Sequence, residues 1–404
     1  MNKIEGGVCA SLGFSASGVH CGIRKNKSKK DLALIYSEKL CSVACTYTQN
    51  KVKGAPIFVT QQNVSDGHAQ AMICNSGNAN TCNANGIEIA TQMCQICGKE
   101  LGIEPSNIIV ASTGVIGQPL SITPIEEGIK PLVANLSNKG NSDACEGIMT
   151  TDTFKKEFAY SFEIDNKTVH IGGMAKGSGM IHPNMATMLA FVTTDIAISD
   201  KLLQKATSEV VDDTFNMVSV DGDTSTNDML SVMANGMAEN ELITTENEAY
   251  YKFKEALNIL CIEISKNIAK DGEGATKLLE CNVVNSNSLI VAKKVAKSVI
   301  TSSLFKAAMF GKDANWGRIL CAIGYVDAEF DVYKIDVTLA SIAGTLAVCK
   351  NGAGVDFSEE EALKILSEET IEINIDMKQG NDKATAWGCD LTYDYVKING
   401  DYRT

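Results

Sequence analysis

The 404-residue chain has only four histidines (His20, His68, His170, His182), six prolines and two tryptophans, and it lacks a basic excess. No apolar run reaches transmembrane length. The opening MNKIEGGVCASLGF has no apolar core of signal-peptide length. A cytoplasmic protein is therefore expected, with its 14 cysteines as reduced thiols. With a formal net charge of −13, its acidic surface repels phosphate backbones, so nucleic acid is not an expected partner, and neither is a membrane. No histidine is spaced with a cysteine as a ligand pair, so no metal site is expected. The G-x-S-x-G elbow of a serine hydrolase is missing. Low-complexity tracts, proline-rich linkers and repeats of solenoid period are also lacking, and no composition break marks a domain boundary.

Apolar residues make up 45% of the chain and charged residues 21%, ordinary for a globular protein long enough to bury a core unaided. The length predicts two or three domains or one large α/β unit. In the first 60 residues DLALIYSE, VACTYTQN and APIFVTQQ read as strands. AMICNSGNAN and NIIVASTGVIG read as buried strands running into glycine-rich loops, each followed by a helical pattern, which is α/β character. Phe158, Tyr160 and Phe162 alternate up to Asp165-Asn166, then Val169 and Ile171 follow, the pattern of a β-hairpin. Ser199 is expected to cap one helix, and Ser358 with Glu361 forms the capping box of another. The terminal WGCDLTYDYVKINGDYRT alternates like a strand. The single CxxC, Cys94 and Cys97, shares a helical face with Ile87, Ala90 and Leu101, so it reads as core rather than as a redox pair, which prefers a helix N-terminus. Cys74 and Cys321 also sit in apolar segments as core residues.

Two loops imitate ligand motifs. GGMAKGSG, Gly172 to Gly179, resembles a phosphate loop, but Lys176 precedes the glycine it should follow. DGDTSTND, Asp221 to Asp228, resembles a calcium loop, but it lacks glycine at the sixth position and has Val232 at the twelfth. A turn rich in side-chain hydrogen bonds is the better reading. GMIHPNMATMLAFVTTD, from Gly179 to Asp195, poses a different question, because Thr187 stands between a prolyl turn and an apolar run. One reading is a strand-edge threonine. The other is a nucleophile: a threonine at a chain terminus carries its own base in its α-amine, with a pKa of about 7.7–8.0. An internal Thr187 acquires that amine only if the chain is cut before it.

KGSGMIHPNMATMLAF resembles the self-cleavage segment of the arginine-biosynthesis bifunctional family, the ornithine acetyltransferases (glutamate N-acetyltransferases). GFSASGVHCGIRKNKSKKDLALI, NSGNANTCNANG, STGVIG, MTTDT, VSVDGDTSTNDM, DGEGATK, FGKDANWGRI and YVKINGDYRT are similar to family segments, in family order, over nearly the whole chain.

The resemblance implies that Thr187 is the nucleophile and that the Ala186–Thr187 bond is cut, leaving an α chain of residues 1–186 and a β chain of residues 187–404. Thr113 and Gly114 match the oxyanion hole. Thr150, Lys176, Thr187, Glu273, Asn399 and Thr404 match the substrate-binding positions, with Thr150 and Thr151 adjacent alternatives. His182 departs from many relatives, which carry a small residue there. The implied fold is α/β, with stacked β-sheets flanked by helices, of the self-cleaving N-terminal-nucleophile type, both chains building one core. The implied activity is acetyl transfer from N-acetylornithine to glutamate by a ping-pong route, without a cofactor, in an assembly typically α2β2. Acetyl-CoA stays an alternative donor, although no CoA-binding signature is readable. Two other classes compete: an amidase or aminopeptidase of the same superfamily, and a non-catalytic small-molecule binder.

Overall fold

In a computed structural model, which describes residues 1–182 and 188–401, the strands form two sheets. The first has nine strands. In order across it run Asn2–Ile4, Lys156–Ile164, Lys167–Lys176, Leu189–Thr194, Met229–Ala234, Leu32–Tyr47, His68–Asn78 and Ile108–Val115, with Phe14–Val19 paired to Leu32–Tyr47. The second has seven: Ala353–Gly354, Gly344–Lys350, Asp336–Ser341, Thr370–Asp376, Leu278–Ser286, Asp382–Cys389 and Val218–Ser219.

Leu189–Thr194 and Met229–Ala234 are buried at every residue and pair in parallel. Burial on both faces is why they are mainly apolar without a polar-apolar alternation. In Leu32–Tyr47 alternate residues enter different cores. Leu32 and Leu34 meet Ile73 and Val110, while Ala33 and Ile35 meet Met72 and Ala111. The hairpin expected around Asp165-Asn166 is present, joining Lys156–Ile164 to Lys167–Lys176. Both turn residues have positive φ, 50° and 59°, as a two-residue hairpin turn requires.

The 23-residue helix Glu248–Lys270 packs on strands of both sheets. Its N-cap Asn247 accepts a hydrogen bond from the Tyr250 amide, and Phe253, Leu257, Leu260, Ile264 and Ile268 form its buried stripe. Helix Leu289–Thr301 packs on the second sheet, and Gly86–Leu101 and Thr123–Ala134 pack on the first. The α/β class with stacked sheets flanked by helices is thus the one found. The largest core cluster draws on both sides of position 187, joining Ile171 and Ala175 to Val192, Leu257 and Ile373.

Several local expectations are corrected. DLALIYSE and VACTYTQN belong to one 16-residue strand, Leu32–Tyr47, whose register shifts between Tyr36 and Cys41. APIFVTQQ is a helix, Ala55–Asn63, with Pro56 in its first turn, where a missing amide hydrogen costs nothing. The terminal strand stops at Cys389, and Tyr393–Asp401 is a helix. Its tyrosine alternation is not a burial pattern, since Tyr393 is 84% exposed. Ser199 occupies its N-cap position without a side-chain cap bond, whereas Ser358 accepts from the Glu361 amide as expected. Cys94 and Cys97 are buried in helix Gly86–Leu101, and burial pushes the Cys94 thiol up to about 12. Ile87 and Cys321, however, are exposed. Among the described residues no helix is long and apolar enough to cross a membrane.

Candidate active site

The strands Ile108–Val115 and Lys167–Lys176 carry Thr113, Gly114 and Lys176 to one cavity of about 320 Å³. Thr150, Glu273 and Asn399 also line it. Six positions scattered from 113 to 399 are thus brought together. Thr151 lines the cavity beside Thr150, so both neighbours face it. Ala186, Thr187 and Thr404 lie outside the described residues.

Gly114 has φ +132°, and it pairs with Gly77 of the neighbouring parallel strand. A Cβ on Gly114 would lie 2.3 Å from the Gly77 carbonyl carbon. Only glycine fits both this backbone angle and this approach. The Lys176 ammonium donates to Thr113 Oγ1 at 3.2 Å. An ammonium has no acceptor capacity, so the Thr113 hydroxyl hydrogen is left to donate to another group. Burial lowers the Lys176 pKa, opposed by the Asp152 and Asp228 carboxylates and reinforced by Lys156.

Glu273, in the same lining, is buried and accepts from Asn399 Nδ2 at 2.7 Å. Its carboxylate lies over Gly179, where a Cβ would meet Oε2 at 2.3 Å. The C-terminal helix that brings Asn399 is docked through Thr392, whose hydroxyl donates to the Gly274 carbonyl at 2.7 Å. Tyr395 of the same helix donates to Asp221 Oδ2 at 3.3 Å. Asp221 in turn accepts from the Met180 and Ile181 amides at 2.6 and 2.8 Å. DGDTSTND is therefore a side-chain-bonded turn, as expected. Among the described residues no group of three or more His, Cys, Asp or Glu side chains is placed to hold a metal.

His182, the departure noted above, has Nδ1 3.1 Å from Ser219 Oγ, and its carbonyl accepts from Thr224 Oγ1 at 2.8 Å. Burial lowers its pKa to about 4; Lys297 adds to this and Asp221 opposes it. It is a neutral ring at cellular pH.

Sequence reasoning missed the support behind the cavity. Asp152 is buried and accepts from Lys156 Nζ at 2.7 Å, the Gly177 amide at 2.7 Å and the Thr150 amide at 2.9 Å. One carboxylate therefore ties the Thr150 turn to the backbone next to Lys176. Lys156 is also buried and reaches Asp271 at 2.5 Å. Asn227 is missed too. It lines the cavity and donates to the carbonyls of Ala79 at 2.6 Å and Ser112 at 3.0 Å. The only sequence signal for Asp152 is its place in MTTDT, which says nothing of Lys156.

Burial raises the Asp152 pKa, but Lys156, Lys176 and the Thr150 amide outweigh it and bring it down to about 2. A carboxyl depressed in the folded state stabilises it above the unfolded pKa, and this is lost as pH falls through the folded value. Its contribution is therefore full above about pH 4, gone near pH 2, and on the order of 2 kcal/mol. Asp152→Asn is expected to lower the urea midpoint at pH 7 and to flatten the acid limb of stability between about pH 4 and 2. Urea melts across that range check this; parallel curves for the two proteins would remove the assignment.

A profile of the ArgJ family matches residues 15–404. The arginine biosynthesis bifunctional protein ArgJ of Caldanaerobacter subterraneus is 49% identical, with the whole of both chains aligned. Its counterpart from Bacillus subtilis is 48% identical over all of this chain and 98% of its own. A crystal structure of the ArgJ protein from Bacillus halodurans matches 54% of this chain and 100% of its own, at 47% identity and a TM-score of 0.51. The family profile over nearly the full length and these identities together establish that the chain belongs to the ArgJ family.

Proposed function

We propose that this chain is a self-processing acetyltransferase of arginine biosynthesis, a glutamate N-acetyltransferase that takes the acetyl group from N-acetylornithine. The relatives carry the name of an arginine-biosynthesis bifunctional protein. The observation that carries the reading is the charge layout of one cavity. Thr113 and Gly114 line it together with a cation, Lys176, and a buried anion, Glu273. That set suits a zwitterionic amino acid with an acyl group at the oxyanion pair.

The chain is cut between Ala186 and Thr187, and the new α-amine of Thr187 serves as base. Thr187 Oγ attacks the acetyl carbonyl, and its proton passes to that amine. The Gly114 amide and the Thr113 hydroxyl stabilise the oxyanion. The C–N bond breaks, the proton goes to the ornithine nitrogen, and the acetyl group stays as a threonine ester. Glutamate enters, its amine attacks the ester, and acetylglutamate leaves. Lys176 pairs with the shared α-carboxylate and Glu273, held by Asn399, with the ornithine ammonium. Thr150 lines the cavity, and Thr404 serves as a further substrate-binding residue. The fragments stay associated as α2β2, and acetyl-CoA is a second donor. Residues 187–404 are 218 of the 404 residues, or 54%. That is the share over which the Bacillus halodurans chain matches in full, the size expected of a separate β chain.

Initial rates with both substrates varied should give parallel double-reciprocal lines. Intact mass after acetylornithine alone should show one acetyl group on the 187–404 fragment, removed by glutamate. Converging lines without an adduct would replace the ester route by direct transfer.

A further inference from the structure

A second cavity of about 470 Å³ lies against the first and shares Gly114, Thr150 and Thr151 with it. Its other wall is the loop of residues 23–29, from which Arg24, Lys25 and Lys29 line it. Residues 24–30 read RKNKSKK, five cations with no acid between them, in a chain of net charge −13. A run like this is ordinarily a solvated face. Three features make it a built wall instead.

First, the loop is shaped from within. Buried Asp31 accepts from the amides of Cys21, Gly22 and Arg24 at 2.6, 3.2 and 2.9 Å, and His20 Nδ1 lies 3.3 Å from the same carboxylate. Asp31 is engaged in forming the turn. Second, the loop is fastened to the first cavity. The Arg24 guanidinium donates to the Met149 carbonyl, next to Thr150, and the Arg24 side chain lies across Gly77, where a Cβ would meet its Cγ at 2.8 Å. Third, the charge is in surplus. Lys30 is paired with Asp143 and Glu146, but among the described residues neither Lys25 nor Lys29 has a carboxylate partner.

The first cavity already holds a cation and an anion for an amino acid. The second holds cations alone, and of the amino acids the first cavity would seat only glutamate brings a further charge, a single γ-carboxylate against Arg24, Lys25 and Lys29. A molecule using both must carry its acyl group at Gly114 and an anion remote from it. Phosphate suits clustered Arg and Lys. A short acyl phosphate would place its phosphate beside the acyl carbon, inside the first cavity. A thioester with phosphates at the end of a long arm fits the separation.

We propose that the basic cavity is the phosphate subsite for a phosphorylated thioester donor whose acyl group enters the neighbouring cavity. This rests on the acyl-transfer reading of that first cavity. In the donor step the nucleophile oxygen forms a C–O bond, the thioester C–S bond breaks, and the hydroxyl proton ends on the departing thiol. The leaving arm then exits past Lys25 and Lys29.

The test uses the full processed protein and the double variant Lys25→Gln/Lys29→Gln, with acetylglutamate formation measured from four donors: acetyl-CoA, acetylornithine, acetyl phosphate and a phosphate-free acetyl thioester of cysteamine. Both lysines are exposed, so the thermal midpoint should not move. The KM for acetyl-CoA is expected to rise about tenfold, the scale of lost charge-assisted contacts. The KM for acetylornithine and for the phosphate-free thioester should stay unchanged. An equal rise for every donor, no rise for acetyl-CoA, or a wild type that uses acetylornithine but not acetyl-CoA would overturn the proposal. Use of acetyl phosphate alone, weakened in the variant, would overturn the remote-phosphate geometry. A wild type that uses none of the donors would instead remove the acyl-transfer reading on which it rests.

Discussion

Thr187→Ala is expected to give a single uncut chain and to abolish acetyl transfer, an effect on the order of 10⁶-fold, as when a hydrolase loses its nucleophile. Both effects follow from one atom. The hydroxyl is needed to attack the preceding carbonyl, and needed again to attack the donor. The described residues on either side of the segment are firmly held. The Met180 and Ile181 amides donate to Asp221, and the Met188 carbonyl accepts from the Met229 amide at 2.9 Å. The core already joins residues from both sides of position 187, so the uncut variant should fold with the wild-type thermal midpoint or above it. Denaturing gels with intact mass read the cut, and the acetylornithine–glutamate exchange assay reads transfer. Thr187→Ser separates the two roles from mere shape, because it keeps a hydroxyl and should retain both at a reduced rate. Two fragments from the alanine variant would show that the cut is not made by Thr187.

Part of the fold could be read from residue order. The hairpin was legible because Phe158, Tyr160 and Phe162 alternate up to a turn with two residues suited to positive φ. The cavity positions were legible only through resemblance. Nothing in the spacing of Lys176, Glu273 and Asn399 says that they meet, because they come from a strand of the first sheet, the loop after helix Glu248–Lys270 and the C-terminal helix. Strand-like alternation misled at Tyr393 and Tyr395. There the phenols serve docking and exposure, and a period of two without burial carries no information about a sheet. Pro56 likewise reads as a strand start or a first helical turn, and only the tertiary setting chooses. Asp152 and Lys156 were invisible for a different reason. Charged residues are usually solvated, and their burial is decided by partners distant in sequence, here Asp271.

Gly114→Ala should nearly silence the enzyme even where the chain folds. The added Cβ would press on the Gly77 carbonyl carbon at 2.3 Å, at a φ of +132° that alanine avoids. Relief requires the two strands to part or the Gly114 peptide to rotate. Either movement turns its amide away from the position of the oxyanion. Loss of one such donor costs about 2.7–4 kcal/mol, or about 10²–10³ in kcat. Strand separation should also lower the thermal midpoint, so the alanine variant alone confounds chemistry with folding. Thr113→Val separates them. Valine keeps the shape of threonine and removes only the hydroxyl that accepts from Lys176 and would donate to the oxyanion. Its thermal midpoint should move little, while kcat falls by about 10²-fold and KM changes less, as for an interaction made mainly in the transition state. A Thr113→Val enzyme with wild-type kcat would assign oxyanion stabilisation to Gly114 alone. Wild-type kcat in both variants would move the reacting carbonyl away from this pair altogether. The ratio of kcat loss to thermal shift across the two substitutions therefore measures how much of the glycine's role is electrostatic and how much is the room it leaves for Gly77.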